Sequence, residues 1–194
     1  MESLKIDHRV RVTKVLIRNA FTSLLREKPI QSITIREICE RSGINRSTFY
    51  KHYADIHELL VKLEDEMFGE FKAAIDPLLA EIGQSDSLRL STRVFQVLRD
   101  NSDLCIVTLG DYGDKDFALR LLSYGRQKMV EAYLRQFGNV STQELEYFYA
   151  FASAGCIGLM RKWFEDGMKL SAEQIAQMAE SMIYQGSAFM LNRG

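Results

Sequence analysis

Within the twenty residues from Thr34 to Tyr53 the chain spells two helix starts and one helix stop, and this punctuation restricts the N-terminal part more than any other feature. Thr34-Ile35-Arg36-Glu37 has the S/T-x-x-E form of a capping box, in which the first side chain and the fourth satisfy each other's backbone N–H groups. Ile35, Ile38 and Cys39 then fall at i, i+3 and i+4, one apolar face of a short helix. Ser42-Gly43 ends it, because Gly adopts the positive φ of a helix C-terminus without a Cβ clash. Ile44 is a single apolar plug, and Asn45 is a good N-cap for a further helix over Arg46–Tyr53. Phe49 and Tyr53 are i, i+4 in that helix and face inward, which leaves Arg46, Ser47, Tyr50 and Lys51 on the opposite side.

Upstream, Ile17, Ala20, Phe21, Leu24 and Leu25 form one helical stripe between about His8 and Arg26, with Arg11, Lys14 and Arg18 on other faces. Pro29 lies just past its end. The N-terminal quarter is therefore three short helices. Its last two, joined by a tight Gly-containing turn, have the form of a helix-turn-helix, whose second helix can lie in the major groove of DNA. Charge agrees with that use. Residues 1–54 hold 11 Lys/Arg against 5 Asp/Glu, whereas residues 55–194 hold 14 against 21, although the whole chain nets only −1. One basic end on an acidic remainder suits a polyanionic partner at that end. Arg46 and Lys51 can neutralise phosphates or reach guanine edges, Ser47, Thr48 and His52 can donate hydrogen bonds, and Tyr50 offers a hydroxyl or a ring for a thymine methyl.

The run from Ile33 to Tyr53 resembles the DNA-binding signature of the TetR family of bacterial regulators, and Asp55 to Leu60 continues the likeness. The resemblance implies an all-α homodimer of about nine helices, with a three-helix head (1–54) on a larger antiparallel helical bundle (55–194) that binds a small molecule and dimerises. Carried over by position, Thr34 helps hold the DNA backbone and Arg36 reaches a base. Asn45, Arg46, Ser47, Thr48, Tyr50, Lys51 and His52 match the recognition-helix surface. One position departs: Ile56 stands where the family usually has a phosphate-gripping Lys. His57 beside it is a surface histidine or a partial substitute.

The rest of the chain reads as helices with no active-site signature. Asp55-x-x-Glu58 opens a long helix through Leu60, Leu63, Met67, Phe71, Ala74 and Leu78, and Pro77 kinks or ends it near Ile82-Gly83. Helices follow over about Leu88–Arg99 and Leu104–Leu109, then one from Asp114 to about Phe137. The aspartates at 111, 114 and 116 lack the spacing of an EF-hand, so no metal is expected. Ser141-x-x-Glu144 and Ser171-x-x-Gln174 are capping boxes for the last two helices. In the family these two helices make a four-helix dimer interface, for which Leu159, Met178, Met182 and Phe189 are candidates. A purely internal role in closing the monomer core is equally open for such stripes. Six aromatics crowd residues 145–164, and Gly155 and Gly158 there resemble the body of a subgroup common in Firmicutes. Phe95, Phe117, Tyr124, Tyr147, Phe151 and Trp163 are the candidate lining of a site for an apolar or amphipathic effector.

No H-E-x-x-H, G-x-S-x-G, Walker or G-x-G-x-x-G motif occurs, and all three histidines lie in or beside the basic head, so no enzyme and no cofactor are expected. Cys39, Cys105 and Cys156 are odd in number and far apart, which excludes a disulfide framework and suggests a reducing compartment. The charged N-terminus is not a secretory signal, and no apolar run approaches the roughly 20 residues of a membrane span. The expectation is a cytoplasmic DNA-binding regulator, a homodimer on a near-palindromic duplex operator, repressing until a small effector alters its affinity. The alternative is an interaction module on the same fold that reads no DNA.

Overall fold

Caps and stripes fold locally as their chemistry dictates. The computed structural model describes the backbone of residues 2–81, 87–108, 117–126 and 141–191, with side chains for 8–78, 88–108, 117–126 and 141–185. Among the described residues there are nine α-helices and no strand. They are α1 (Glu2–Leu25), α2 (Ile35–Ser42), α3 (Arg46–Tyr50), α4 (Ile56–Glu81), α5 (Ser87–Asp100), α6 (Ser102–Thr108), α7 (117–126), α8 (Thr142–Glu165) and α9 (Ala172–Leu191). A 3-10 turn at Ile30–Ser32 follows Pro29. No described helix is long and apolar enough to cross a membrane.

Three differences from the sequence expectation have plain causes. The third helix stops at Tyr50 rather than Tyr53, and the N–H groups of His52 and Tyr53 still bond back to Phe49 O at 2.9 and 3.0 Å. α1 begins at Glu2, six residues before the expected start at about His8. α4 passes through Pro77, whose missing N–H removes one ladder bond without ending the helix. Of the helix expected over 114–137, residues 117–126 are helical and the rest lies outside the described residues, as do the aspartates at 111, 114 and 116.

The chain packs as two compact units. The first comprises Met1–Met67 with Asp103–Lys115, and the second Phe68–Ser102 with Asp116–Gly194. In the first, Ile17, Phe21, Ile38, Phe49 and Leu59 are wholly buried, each worth about 1.5–3 kcal/mol of apolar transfer. α6 joins this unit through tertiary contacts: Leu104 is fully buried, Cys105 Sγ lies 4.0 Å from Met67 Sδ, and Arg18 grips Asp103. In the second unit Phe71, Ile75 and Val97 form a cluster with Leu90, Val94, Leu121 and Tyr124 around it. Leu145, Phe148 and Ala152 of α8 and Ile175, Ala176 and Ala179 of α9 supply the buried faces of the last two helices.

Candidate nucleic-acid interface

The expected helix-turn-helix forms, and each cap is used. Glu37 N–H donates to Thr34 Oγ1 at 3.3 Å while Thr34 N–H donates to Glu37 Oε2 at 2.9 Å, the complete box. Lys28 Nζ also sits 2.5 Å from Glu37. Its hydrogen bond, with those of the Thr34 hydroxyl and N–H, pulls the Glu37 carboxyl down to about 2. Arg41 ties α2 to α1 through Glu27 at 2.6 Å and Ser23 at 2.8 Å. Gly43 has φ +70°, the left-handed turn that carries the chain from α2 to α3.

Asn45 Oδ1 accepts from Thr48 N–H at 2.8 Å, from the Ser47 hydroxyl at 2.8 Å and from the Thr48 hydroxyl at 2.9 Å. Ser47 and Thr48 thus spend their donors on the cap in this state, which sequence reading assigned to the duplex. Phe49 is wholly buried and Tyr53 nearly so, their rings 5.7 Å apart, and Tyr50 lies edge-on to Phe49 at 5.8 Å. That anchoring leaves Arg46, Ser47, Tyr50 and Lys51 exposed on the outer side of α3 and Arg36 exposed on α2. Arg36 Nε is held by Glu40 at 2.7 Å. A shallow hollow of about 370 Å³ lies between α2 and α3, lined by Arg36, Cys39, Glu40, Ile44, Asn45 and Arg46. His52 is half-buried. Its burial, then the charges of Lys14, Lys51 and Lys62, push its pKa below the usual imidazole value.

Ile56, the first residue of α4, is half-buried and carries no charge for a phosphate. Lys62, which is not among the expected site residues, donates from Nζ to the His52 carbonyl at 3.1 Å, pairs with Glu58 at 2.8 Å and stands 5.4 Å from the Tyr53 ring centroid. Its available signal was the i,i+4 pairing with Glu58.

The second unit brings the residues expected to line an effector site together only in part. Tyr147 and Phe151 are 72% and 69% exposed on the outer face of α8, so they line no interior site. Helical phase explains this: Leu145, Phe148 and Ala152 take the inward positions, and at about 100° per residue Tyr147 falls roughly 130° and Phe151 roughly 90° from the centre of that face. Phe95 and Trp163 do meet, edge to face at 5.9 Å, with Trp163 stacked on Phe164 and its Nε1–H donating to Leu170 O at 2.9 Å. This is tight core packing. Phe117 is buried, and Tyr124 joins Phe68 and Phe71 instead, its hydroxyl donating to Asp76. An open hollow of about 620 Å³ lies elsewhere, between Ala74, Pro77 and Leu78 of α4, Leu88, Arg89, Thr92, Arg93 and Gln96 of α5, and Glu173 of α9. None of the six expected aromatics lines it.

Of the dimer candidates, Met178 and Met182 are exposed at 40% and 58% and Leu159 is half-buried, while the side chain of Phe189 lies outside the described ones. Among the described residues no group of three His, Cys, Asp or Glu is placed to hold a metal ion.

This arrangement has relatives. The model of bacterial regulatory proteins of the tetR family matches residues 17–63, and that of a transcriptional regulator C-terminal region matches residues 86–185. An uncharacterized HTH-type transcriptional regulator of Bacillus subtilis, YxbF, is 28% identical over 176 residues, which are 89% of this chain and 45% of that protein. The chain thus spans about half the length of this curated relative. Two solved structures share the fold. A TetR transcriptional regulator of Streptococcus agalactiae has a TM-score of 0.58 at 22% identity, covering 93% of this chain and 98% of that one. The fatty acid degradation regulator FadR of Bacillus halodurans has a TM-score of 0.65 at 16% identity, covering 88% and 94%. With matched regions over both the helix-turn-helix and more than half of the remaining length, the chain belongs to the TetR family of transcriptional regulators.

Proposed function

We propose that the chain is a sequence-specific DNA-binding repressor that acts as a homodimer and changes operator affinity when it binds a small amphipathic effector. The observation that carries this is the outer face of α2 and α3, where Arg36, Arg46, Tyr50 and Lys51 project from a backing of buried Phe49 and Tyr53. Such a surface can neutralise phosphates through Lys51 and Arg46 while Arg36 and Tyr50 reach base edges. The Arg36–Glu40 pair is more than half exposed, so releasing the guanidinium to DNA costs little.

The homodimer is supported by apolar side chains exposed, among the described residues, on the last two helices. Tyr147 and Phe151 share one side of α8 with Gly155 and Gly158, where an added Cβ would meet nothing within 4 Å, and Met178 and Met182 stand exposed on α9. A dimer that reads a near-palindrome must present its two recognition helices one duplex turn apart, about 34–36 Å, or a multiple of that. Repression follows from a dimer obstructing a promoter. The hollow between α4 and α5 supports an amphipathic effector: Ala74, Pro77, Leu78 and Leu88 suit an apolar part and Arg89 and Arg93 an anionic end. An effector binding one body conformation better shifts the population, and a coupling of about 1–3 kcal/mol changes operator affinity about 5–150-fold.

Selection from a random-sequence duplex pool, followed by titration across salt, tests the reading. A near-palindromic winner is expected, with log K falling by about 0.9 per phosphate neutralised. No enrichment at low salt refutes it. Ile56 in place of a cation favours a second reading, an interaction module that leaves DNA alone. Tyr50→Ala with Lys51→Ala separates the two: unchanged regulatory output in cells sinks the DNA reading.

A further inference from the structure

We propose that Lys62, with Glu58, is a positioning clamp that sets the recognition helix on α4 and so determines operator specificity without touching DNA; this rests on the DNA-binding reading above. α3 is only five residues long, too short for helix cooperativity to fix its position, so the local bonds of His52 and Tyr53 to Phe49 O need tertiary contacts beside them. Two backbone groups of that segment are caught by one pair of side chains. The His52 carbonyl accepts from the Lys62 ammonium at 3.1 Å, and Ala54 N–H donates to the Glu58 carboxylate. Lys62 and Glu58 are themselves paired at 2.8 Å, one turn apart on α4, and the ammonium faces the Tyr53 ring at 5.4 Å. Glu58 is anchored in turn, since its N–H donates to Asp55 Oδ1 at 2.7 Å. Because the grip is on backbone atoms, any rotation of α4 is passed to residues 52–54 and through Phe49 and Tyr53 to the face carrying Tyr50 and Lys51. The Lys62 ammonium is thus already held by three engagements within the head.

The test uses the full chain, the tightest duplex the wild type selects from a random pool, and a scrambled duplex. Lys62→Met is expected to weaken the selected duplex about 10-fold, the effect of losing one charge-assisted hydrogen bond. The scrambled duplex and the salt slope should hardly change. A phosphate-binding lysine behaves differently, lowering both duplexes alike and reducing the slope by about one; that result overturns the proposal, as does no change at all. Lys62→Arg, which keeps a donor and the charge, should recover most of the loss. Equal loss in both variants at unchanged melting temperature also overturns it. Should the wild type select nothing, the DNA reading fails by itself, and the clamp is judged by amide hydrogen exchange. Lys62→Met must then speed exchange at residues 52–54 beyond the change elsewhere, or the clamp is refuted too.

Discussion

Asp103 joins α6 to α1 through an ion pair whose partners are 85 positions apart in sequence, and its removal should be measurable as a coupling to Arg18. Arg18 Nε and Nη2 donate to the two carboxylate oxygens at 2.8 and 2.7 Å. The side chains are 21% and 29% exposed, between the regimes in which a pair is worth about 0–1 kcal/mol at the surface and 3–5 kcal/mol when broken in the interior. A coupling of about 1.5 kcal/mol follows. Asp103 also lies in the first turn of α6, where a carboxylate gains about 0.5 kcal/mol from the helix dipole independently of Arg18. Asp103→Ala should therefore cost about 2 kcal/mol, or about 4–8 °C in Tm for a chain of this size. Urea unfolding of the wild type, Asp103→Ala, Arg18→Ala and the double variant isolates the coupling. A coupling below about 0.3 kcal/mol refutes the inference that this pair fastens α6 to the head. Acidity gives a second check. Burial alone raises the Asp103 pKa, but the Arg18 hydrogen bonds and charge, with the N–H groups of Leu104 and Asp103, outweigh it and leave the value lowered. The stabilisation is then complete above the unfolded value of about 4 and disappears as pH falls through the folded one. The gap between wild type and Asp103→Ala should close in acid.

Four further outcomes are expected. Gly43→Ala should cost about 1–2 kcal/mol by equilibrium unfolding, entirely from the left-handed φ, because no atom lies within 4 Å of the added Cβ. Asn45→Ala should cost about 1 kcal/mol and loosen Ser47 and Thr48, seen as faster exchange of the Thr48 amide. The lowered His52 pKa means the folded head resists protonation, so stability present above about pH 6.5 should decline as pH falls through the folded value; His52→Gln should flatten that slope in a pH series of melts. Tyr147→Glu with Phe151→Glu should leave the monomer folded, since both side chains are largely exposed, yet abolish self-association in analytical ultracentrifugation.

Local chemistry accounts for what was legible from residues alone. The boxes at Thr34, Ser141 and Ser171 and the cap at Asn45 involve partners within three residues, so their bonds could be read off the spacing, and each is made. The buried faces of α1 and α3 and the exposed cluster of Arg46, Tyr50 and Lys51 followed from helical phase in the same way. Where two or more inward choices competed, phase was ambiguous: in α8 six aromatics allowed several apolar faces, and only tertiary packing decided that Phe148 goes in and Tyr147 and Phe151 go out. Long-range partners left no signal of their own. The hold of Arg18 on Asp103, the clamp of Lys62 on the His52 carbonyl and the hollow beside Arg89 and Arg93 arise from residues distant along the chain, or from a backbone atom any residue could supply. The amino-acid order therefore determined which helices form and which family they build, because caps and periodicity act over a turn or two. Tertiary structure alone decided that α6 packs with the head, since helix membership of a core depends on shape and charge meeting across tens of residues, which no short-range pattern encodes.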